Sequence, residues 1–363
     1  SYETHENTSY RQTVNKLFGQ NVLPDVDLEN SKFLLSFGAD LFGNTGSPVK
    51  TASNYGVFRQ GTSGGRREGR GTFVQVDPRF SHTAANADMW VPIKPGMEGA
   101  LALSIAYVLI NEGLADNAAA LALTDGKLVQ AIEDYKPETI APKLGIPNLR
   151  GKDASHTIRS LAHSIAENRP SVVIGGGSAA AHTNGLFNLT AIYSLNYLIG
   201  SVNRRGGIIF NPDSPLENIP ASAHRSTFKD WHQLVDRLRW GRPKPVKMMV
   251  FFGTDPVYGL PGALDIKSAF GDTDIVSFSN FLDDTSLQAD TILPKKMHLE
   301  DWGDDIPDPA PQYQTIGIQQ PVVNPPPGID VKGGFGDLLL TISEELGGDV
   351  KSALPWKTFK DVI

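Results

Sequence analysis

Short apolar runs that end in glycine or Asp-Pro alternate along this chain with longer stretches of helical period. Phe33-Leu34-Leu35-Ser36-Phe37 is one such run, free of charge and closed by Gly38, and it predicts a strand buried on both faces. Thr72-Phe73-Val74-Gln75-Val76 repeats the pattern and stops at Asp77-Pro78; Trp90-Val91-Pro92-Ile93 is a third, shorter extended piece. From Met97 to Asn111 the period changes. Leu101, Ile105, Val108 and Leu109 fall on one helical stripe there. A second set follows: a helix over His156–Asn168, with Ile158, Leu161 and Ile165 on one face, and a strand over Ser171–Ile174 that runs into Gly175-Gly176-Gly177. Asn184–Ile199 reads as a helix, Lys247–Phe252 as a strand ending in Gly253-Thr254-Asp255-Pro256, and Asp274–Phe278 as the last strand. Strands alternating with helices predict an α/β fold with parallel sheets covered on both faces. The expected organisation is two Rossmann-like units, 1–150 and 151–305, then a Pro-rich arm and short C-terminal helix over 306–363.

Composition and charge sharpen this picture. Glycine and proline are enriched locally: Gly61–Gly71 predicts a loop excursion, and Ile306–Gly328, with Pro325-Pro326-Pro327, an extended arm. The net charge of -7 argues against a nucleic-acid surface, which needs clustered cations to neutralise phosphates. A basic run, Gly65-Arg66-Arg67-Glu68-Gly69-Arg70, carries its own acid and sits among glycines, so a mobile loop is expected. No stretch approaches the ~20 apolar residues that cross a bilayer. The chain starts at Ser1 without a signal peptide or twin-arginine segment, and a processed product or a piece of something longer is expected. Cysteine is absent, which excludes disulfides, thiolate-bound zinc, cysteine-ligated clusters and cysteine nucleophiles within these residues.

Ligands of open parallel sheets bind at the carboxyl ends of the strands. Those ends carry Gly38-Ala39-Asp40, Asp77-Pro78-Arg79, Gly175-Gly176-Gly177-Ser178 and Gly253-Thr254-Asp255. Glycine lets backbone amides approach a phosphate, and a carboxylate can bond a ribose or a guanine edge. Each set alone is a weak signal, a Gly-Gly-Gly turn after a strand is more often only a tight turn, and neither G-x-G-x-x-G nor the Walker A pattern is present. The histidines show no tight metal spacing, and Ser178 lacks the G-x-S-x-G elbow. Asp283-Asp284 and Asp304-Asp305 read as solvated loop acids, and His298-Leu299-Glu300-Asp301-Trp302-Gly303 as a structural turn.

In order along the chain, these strand ends resemble the molybdopterin oxidoreductase (dimethyl sulfoxide reductase) superfamily. The matching segments are Phe33–Asp40, Phe73–Arg79, Ala87–Gly96, Ser201-Val202-Asn203-Arg204-Arg205-Gly206-Gly207, Gly253–Pro256 and Phe281–Pro294. The resemblance implies two Rossmann-like units whose strand ends, in catalytic relatives, cradle the guanine dinucleotides of a bis-molybdopterin cofactor. Relatives carry an N-terminal cysteine motif for a cluster and a C-terminal barrel-like domain, neither of which this sequence matches. Their metal ligand would fall near Glu3, Thr4 or His5, where none of the usual types stands, with Ser1 a more distant candidate. Ser47-Pro48-Val49, Leu299–Asp304, Gln319–Val323 and Gly334–Leu340 resemble the cofactor-free, molybdopterin-like N-terminal part of the iron–sulfur subunit of bacterial alternative complex III.

That branch implies a structural component of a quinol-oxidising respiratory or photosynthetic complex, peripheral to the cytoplasmic membrane on its periplasmic side. Expected partners are a cluster-bearing ferredoxin-like domain, haem c subunits and a quinol-binding membrane subunit. No catalytic residue, metal ligand or cofactor is expected in the chain itself. Gly38, Asp40, Asp77, Arg79, Gly175, Gly177 and Asp255 would mark a vestigial dinucleotide cleft. The alternative is a fragment of a catalytic bis-molybdopterin enzyme of the tetrathionate or polysulfide reductase type.

Overall fold

The computed structural model describes residues 8–20, 22–43, 46–60, 69–149, 151–212, 228–307, 312–313, 315–326 and 333–363. They fall into two units, one within Glu6–Pro215 and Pro307–Gln314, the other within Leu216–Ile306 and Thr315–Ile363.

In the larger unit the elements run α1 (Thr8–Phe18), β1 (Asp25–Val26), β2 (Phe33–Phe37), α2 (Pro48–Gln60), β3 (Thr72–Val76), α3 (His82–Ala85) and β4 (Met89–Val91). They continue with α4 (Glu98–Asn111), α5 (Asn117–Leu123), α6 (Pro137–Leu144), α7 (Ala154–Glu167), β5 (Ser171–Gly175), α8 (Gly185–Leu198) and β6 (Ile208–Ile209). Four strands form a parallel sheet in the order β4-β3-β2-β5. All five residues of β2 are buried, as its uninterrupted apolar run requires of a central strand. Helix α7 turns Ile158, Leu161 and Ile165 inward, and Asp153 caps its start by accepting the His156 amide at 2.8 Å. Helix α4 is buried nearly all round, so its apolar face is far wider than one stripe.

The expected boundary at residue 150 is corrected by the register of β5. Phe33 pairs with Ser171 and Phe37 with Gly175, so the strand assigned to a second unit completes the first sheet. Hydrogen bonding across more than a hundred residues decides this, and no local pattern announces it.

The smaller unit contains α9 (Phe228–Trp240), β7 (Met248–Phe252), α10 (Pro256–Gly259), α11 (Ile266–Ala269), β8 (Asp274–Phe278), β9 (Thr291–Ile292) and β10 (Gly303–Asp305). β11 (Gly317–Gln319), α12 (Phe335–Leu346), α13 (Gly348–Ala353) and α14 (Phe359–Val362) follow. β7, β8 and β9 form a parallel sheet in that order. Its core holds Val235, Phe251, Leu264, Phe270 and Ile275, while Met248 and Val250 stay exposed on alternate positions of β7. Coverage on both faces, expected from the alternation of strands and helices, is therefore incomplete on this strand among the described residues. The arm and helix expected over 306–363 are also revised. β11 leaves the arm to pair with β10, and among the described residues three helices, not one, follow it. Residues 308–311, 314 and 327–332 lie outside the described residues, as do 65–68 of the basic run and residues 1–5; Arg70 pairs with Asp88 at 3.1 Å.

Candidate functional site

The carboxyl ends of β2, β3 and β5 meet at one edge of the larger sheet and bring together Gly38, Asp40, Asp77, Arg79, Gly175 and Gly177. Gly38 turns the chain at φ +63°, and Gly177 does so at φ +47°. The two turns are fastened to each other: the Gly176 amide donates to Phe37 O at 3.1 Å and the Ser178 amide to Gly38 O at 3.3 Å. A Cβ on Gly38 would stand 2.2 Å from Ser178 Oγ, and one on Gly177 would stand 2.3 Å from Gly38 O. Here glycine serves the approach of one turn to the other. Gly175 serves packing, since its carbonyl accepts the Tyr193 hydroxyl at 3.1 Å and α8 lies against it.

The strand-end carboxylates are engaged within the chain. Asp77 is 3% exposed; its Oδ2 accepts Ser81 Oγ at 3.0 Å and Gln75 Nε2 at 3.3 Å, and its Oδ1 accepts the Arg79 amide at 3.3 Å. Asp40 accepts Thr83 Oγ1 at 3.4 Å. The Arg79 side chain is exposed and makes no ion pair among the described residues. Beside it, exposed Phe80 packs edge-on against Trp90, whose Nε1 donates to Asp77 O at 2.9 Å.

Sequence reasoning missed Glu98, which opens α4 and is fully buried. Its Oε2 accepts Asn188 Nδ2 at 3.3 Å, while Oε1 has no partner among the described residues. Burial pushes its pKa up from the ordinary carboxylate value; backbone donors at Glu98 and Gly96 and the charge of His182 oppose the rise, and Asp77 adds to it. An acid opening an otherwise apolar helix was the available signal.

Asp255 lies in the smaller unit, in a cleft of about 540 Å³ at the carboxyl ends of β7 and β8. Gly253, Ser279, Asn280, Lys295, Lys296 and Trp302 contribute to its lining. Asp255 Oδ1 accepts Thr285 Oγ1 at 2.6 Å, the Thr285 amide at 3.0 Å and the Tyr258 amide at 3.3 Å, so it caps α10 and holds the loop after β8. Lys295 Nζ lies 4.8 Å over the Phe252 ring, and Lys296 stands 4.0 Å from Asp301. Asp283 Oδ2 accepts Ser279 Oγ at 2.9 Å and its Oδ1 accepts the Ser286 amide at 2.7 Å. Burial works to raise that carboxyl, but the hydrogen bonds from Ser286, Ser279 and Thr285 outweigh it and hold it below its ordinary value. Among the described residues no cluster of three or more His, Asp or Glu could hold a metal, and no helix is long and apolar enough to cross a membrane.

The polar groups at the carboxyl ends of the larger sheet's strands are bonded to one another. The buried Asp77 carboxylate already has three donors, and the Gly38 and Gly177 turns are closed on each other.

Two parallel α/β units with glycine and carboxylate turns at the strand ends define a protein of the Rossmann-like, dinucleotide-fold class. The family model for molybdopterin oxidoreductase matches residues 2–326, and the chain belongs to that family. It is 30% identical over 342 residues to the menaquinone reductase, molybdopterin-binding-like subunit of Nitratidesulfovibrio vulgaris, covering 93% of this chain and 46% of the relative. To the arsenate respiratory reductase molybdopterin-containing subunit of Chrysiogenes arsenatis it is 28% identical over 373 residues, covering 89% of this chain and 42% of the relative. Acetylene hydratase from Pelobacter acetylenicus superposes with a TM-score of 0.72 at 18% identity, over 96% of this chain and 51% of that one. The chain thus spans about half the length of these relatives.

Proposed function

We propose that this chain serves as a cofactor-free, molybdopterin-oxidoreductase-like scaffold in a quinone- or quinol-linked electron-transfer complex of the alternative complex III kind. The observation that carries this reading is the engagement of Asp77: a buried carboxylate with three intrachain donors has little acceptor capacity left for a dinucleotide. The absence of cysteine adds to it, since no thiolate is available here to hold a cluster. The resemblance to a subunit named molybdopterin-binding-like, of a menaquinone reductase, supports the same role. Electrons then pass through partners: a ferredoxin-like domain with iron–sulfur clusters, haem c subunits and a quinol-binding membrane subunit. Its place is the periplasmic side of the cytoplasmic membrane.

A second reading is part of a catalytic molybdenum enzyme of the tetrathionate or polysulfide reductase type. The lysine-lined cleft of the smaller unit favours it, because Lys295 and Lys296 suit an anionic group. Metal analysis of the protein purified from its source decides between them. Molybdenum and tungsten well below one atom per chain, with no pterin released on denaturation, is expected. One atom per chain with pterin overturns the scaffold. Copurification with haem- and cluster-bearing subunits tests the complex, and isolation as a lone, haem-free protein would count against it.

A further inference from the structure

A second basic stretch runs from Arg237 to Lys247. Arg237, Arg239, Arg242, Lys244 and Lys247 fall within it, with no acid between them, in a chain whose net charge is -7. Trp240 stands in their midst at the end of α9, 71% exposed.

The ordinary explanation of cations at a helix C-terminus is the helix dipole. It covers Arg237 and Arg239, the basic residues of the last turn. Both also have local work. Arg237 Nε donates to Lys244 O at 2.8 Å, which folds the following loop back on the helix end, and Arg239 donates to Leu264 O at 2.9 Å and faces Asp265 at 3.6 Å. The dipole does not account for Arg242, Lys244 and Lys247, which lie beyond the helix, are exposed, and make no ion pair among the described residues. Nor does it account for an indole left in water. Asp274, in register with Met248, is the carboxylate of the neighbouring strand, and it forms no ion pair with Lys247 among the described residues.

We propose that Trp240 and the cations from Arg237 to Lys247 form a docking surface for an anionic lipid bilayer. Trp is suited to the headgroup level because its ring is apolar and its N–H polar. Lys and Arg lay their stems on the interface while their charges meet lipid phosphates. Two prolines, Pro243 and Pro245, stiffen the loop that presents three of the cations, so little order is lost on contact. An acidic protein would satisfy the charges equally well, but the exposed indole favours the bilayer. The surface lies within the smaller unit and does not depend on whether the chain takes up a cofactor, so metal analysis and lipid binding succeed or fail separately.

The test uses the full chain and vesicles of phosphatidylcholine alone or with a third phosphatidylglycerol. Cosedimentation with the anionic vesicles only, weakening as salt rises through the physiological range, is expected. The triple variant Arg242→Gln, Lys244→Gln, Lys247→Gln should bind on the order of a hundredfold more weakly, while Lys127→Gln, Lys143→Gln, Lys152→Gln, with the same loss of charge elsewhere, should bind as the parent does. Brominated lipid should quench part of the tryptophan emission in the parent and less in Trp240→Phe. No binding to anionic vesicles at low salt, equal binding to both vesicles, or equal weakening by the two triple variants overturns the proposal. So does capture by polyglutamate without binding to vesicles, which would assign the surface to an acidic protein.

Discussion

Asn196 of α8 does for Val173 of β5 what a neighbouring strand would do: its Oδ1 accepts the Val173 amide at 3.0 Å and its Nδ2 donates to the Val173 carbonyl at 2.7 Å. β5 is the edge of its sheet, and its residues are all buried, so both groups would otherwise be stranded away from water. Asn196 itself is fully buried. Asn196→Leu fills a similar volume but satisfies neither group. A loss of about 2–6 kcal/mol is expected, since each of the two orphaned buried groups costs about 1–3 kcal/mol. Denaturant titration checks it; a loss below about 1 kcal/mol would mean that water or a shifted strand takes over.

The Gly38 and Gly177 turns make a sharper case for structure over ligand binding. Gly38→Ala meets Ser178 Oγ at 2.2 Å and the Ala179 backbone nitrogen at 2.8 Å, at a positive φ. Removing the hydroxyl relieves only the first contact. Gly38→Ala is therefore expected to cost about 2–3 kcal/mol, and Gly38→Ala combined with Ser178→Gly to stay clearly below the parent. Full recovery in the double variant, by thermal unfolding, would show that the backbone approach is not the constraint.

Much of this architecture could be read from apolar period alone, and the reason is burial. β2 is buried on both faces and α7 on one, so the two periods appear undiluted in Phe33–Phe37 and in Ile158, Leu161 and Ile165. α2 was missed because Pro48–Gln60 buries only Phe58 and mixes polar residues around the helix. α9 was missed because five of its thirteen residues, Lys229, Asp230, Asp236, Arg237 and Arg239, are charged and only Val235 is buried. The unit boundary and the pairing of β11 with β10 depend on contacts distant in sequence, which local period does not encode. The site follows the same rule. Glycines and carboxylates at strand ends were visible as residue types, but their partners, such as Thr285 for Asp255 and Ser178 for Gly38, follow only from how the loops close.

Glu98 predicts a dependence on pH. Its folded pKa lies above the ordinary carboxylate value, so between the two the folded state holds more proton than the unfolded state. Its contribution is complete below the unfolded value and is lost as pH rises through the folded one. Relative to Glu98→Gln, which stays neutral, the parent should lose stability as pH rises from the ordinary carboxylate value of about 4.3 through the folded one. Denaturation midpoints of the two proteins across that range check it, and parallel curves would place the charge in contact with solvent or a counter-ion.

Asp283 predicts the opposite slope in the smaller unit. Ser279, Thr285 and Ser286 hold its carboxyl below the ordinary value, so the unfolded chain takes up the proton first as the medium is acidified. The stabilisation is present above the unfolded pKa of about 3.9 and fades as pH falls through the folded value. Asp283→Asn keeps the shape but replaces one acceptor by a donor facing the Ser286 amide or Ser279 Oγ, so it should be less stable than the parent at neutral pH. The gap should narrow on acidification, because the parent loses its own charge there while the variant has none to lose. Hydrogen exchange of the Ser286 amide localises the effect: protection should fall in Asp283→Asn at neutral pH, and unchanged protection would show that the loop is held by the Asp255–Thr285 contact alone.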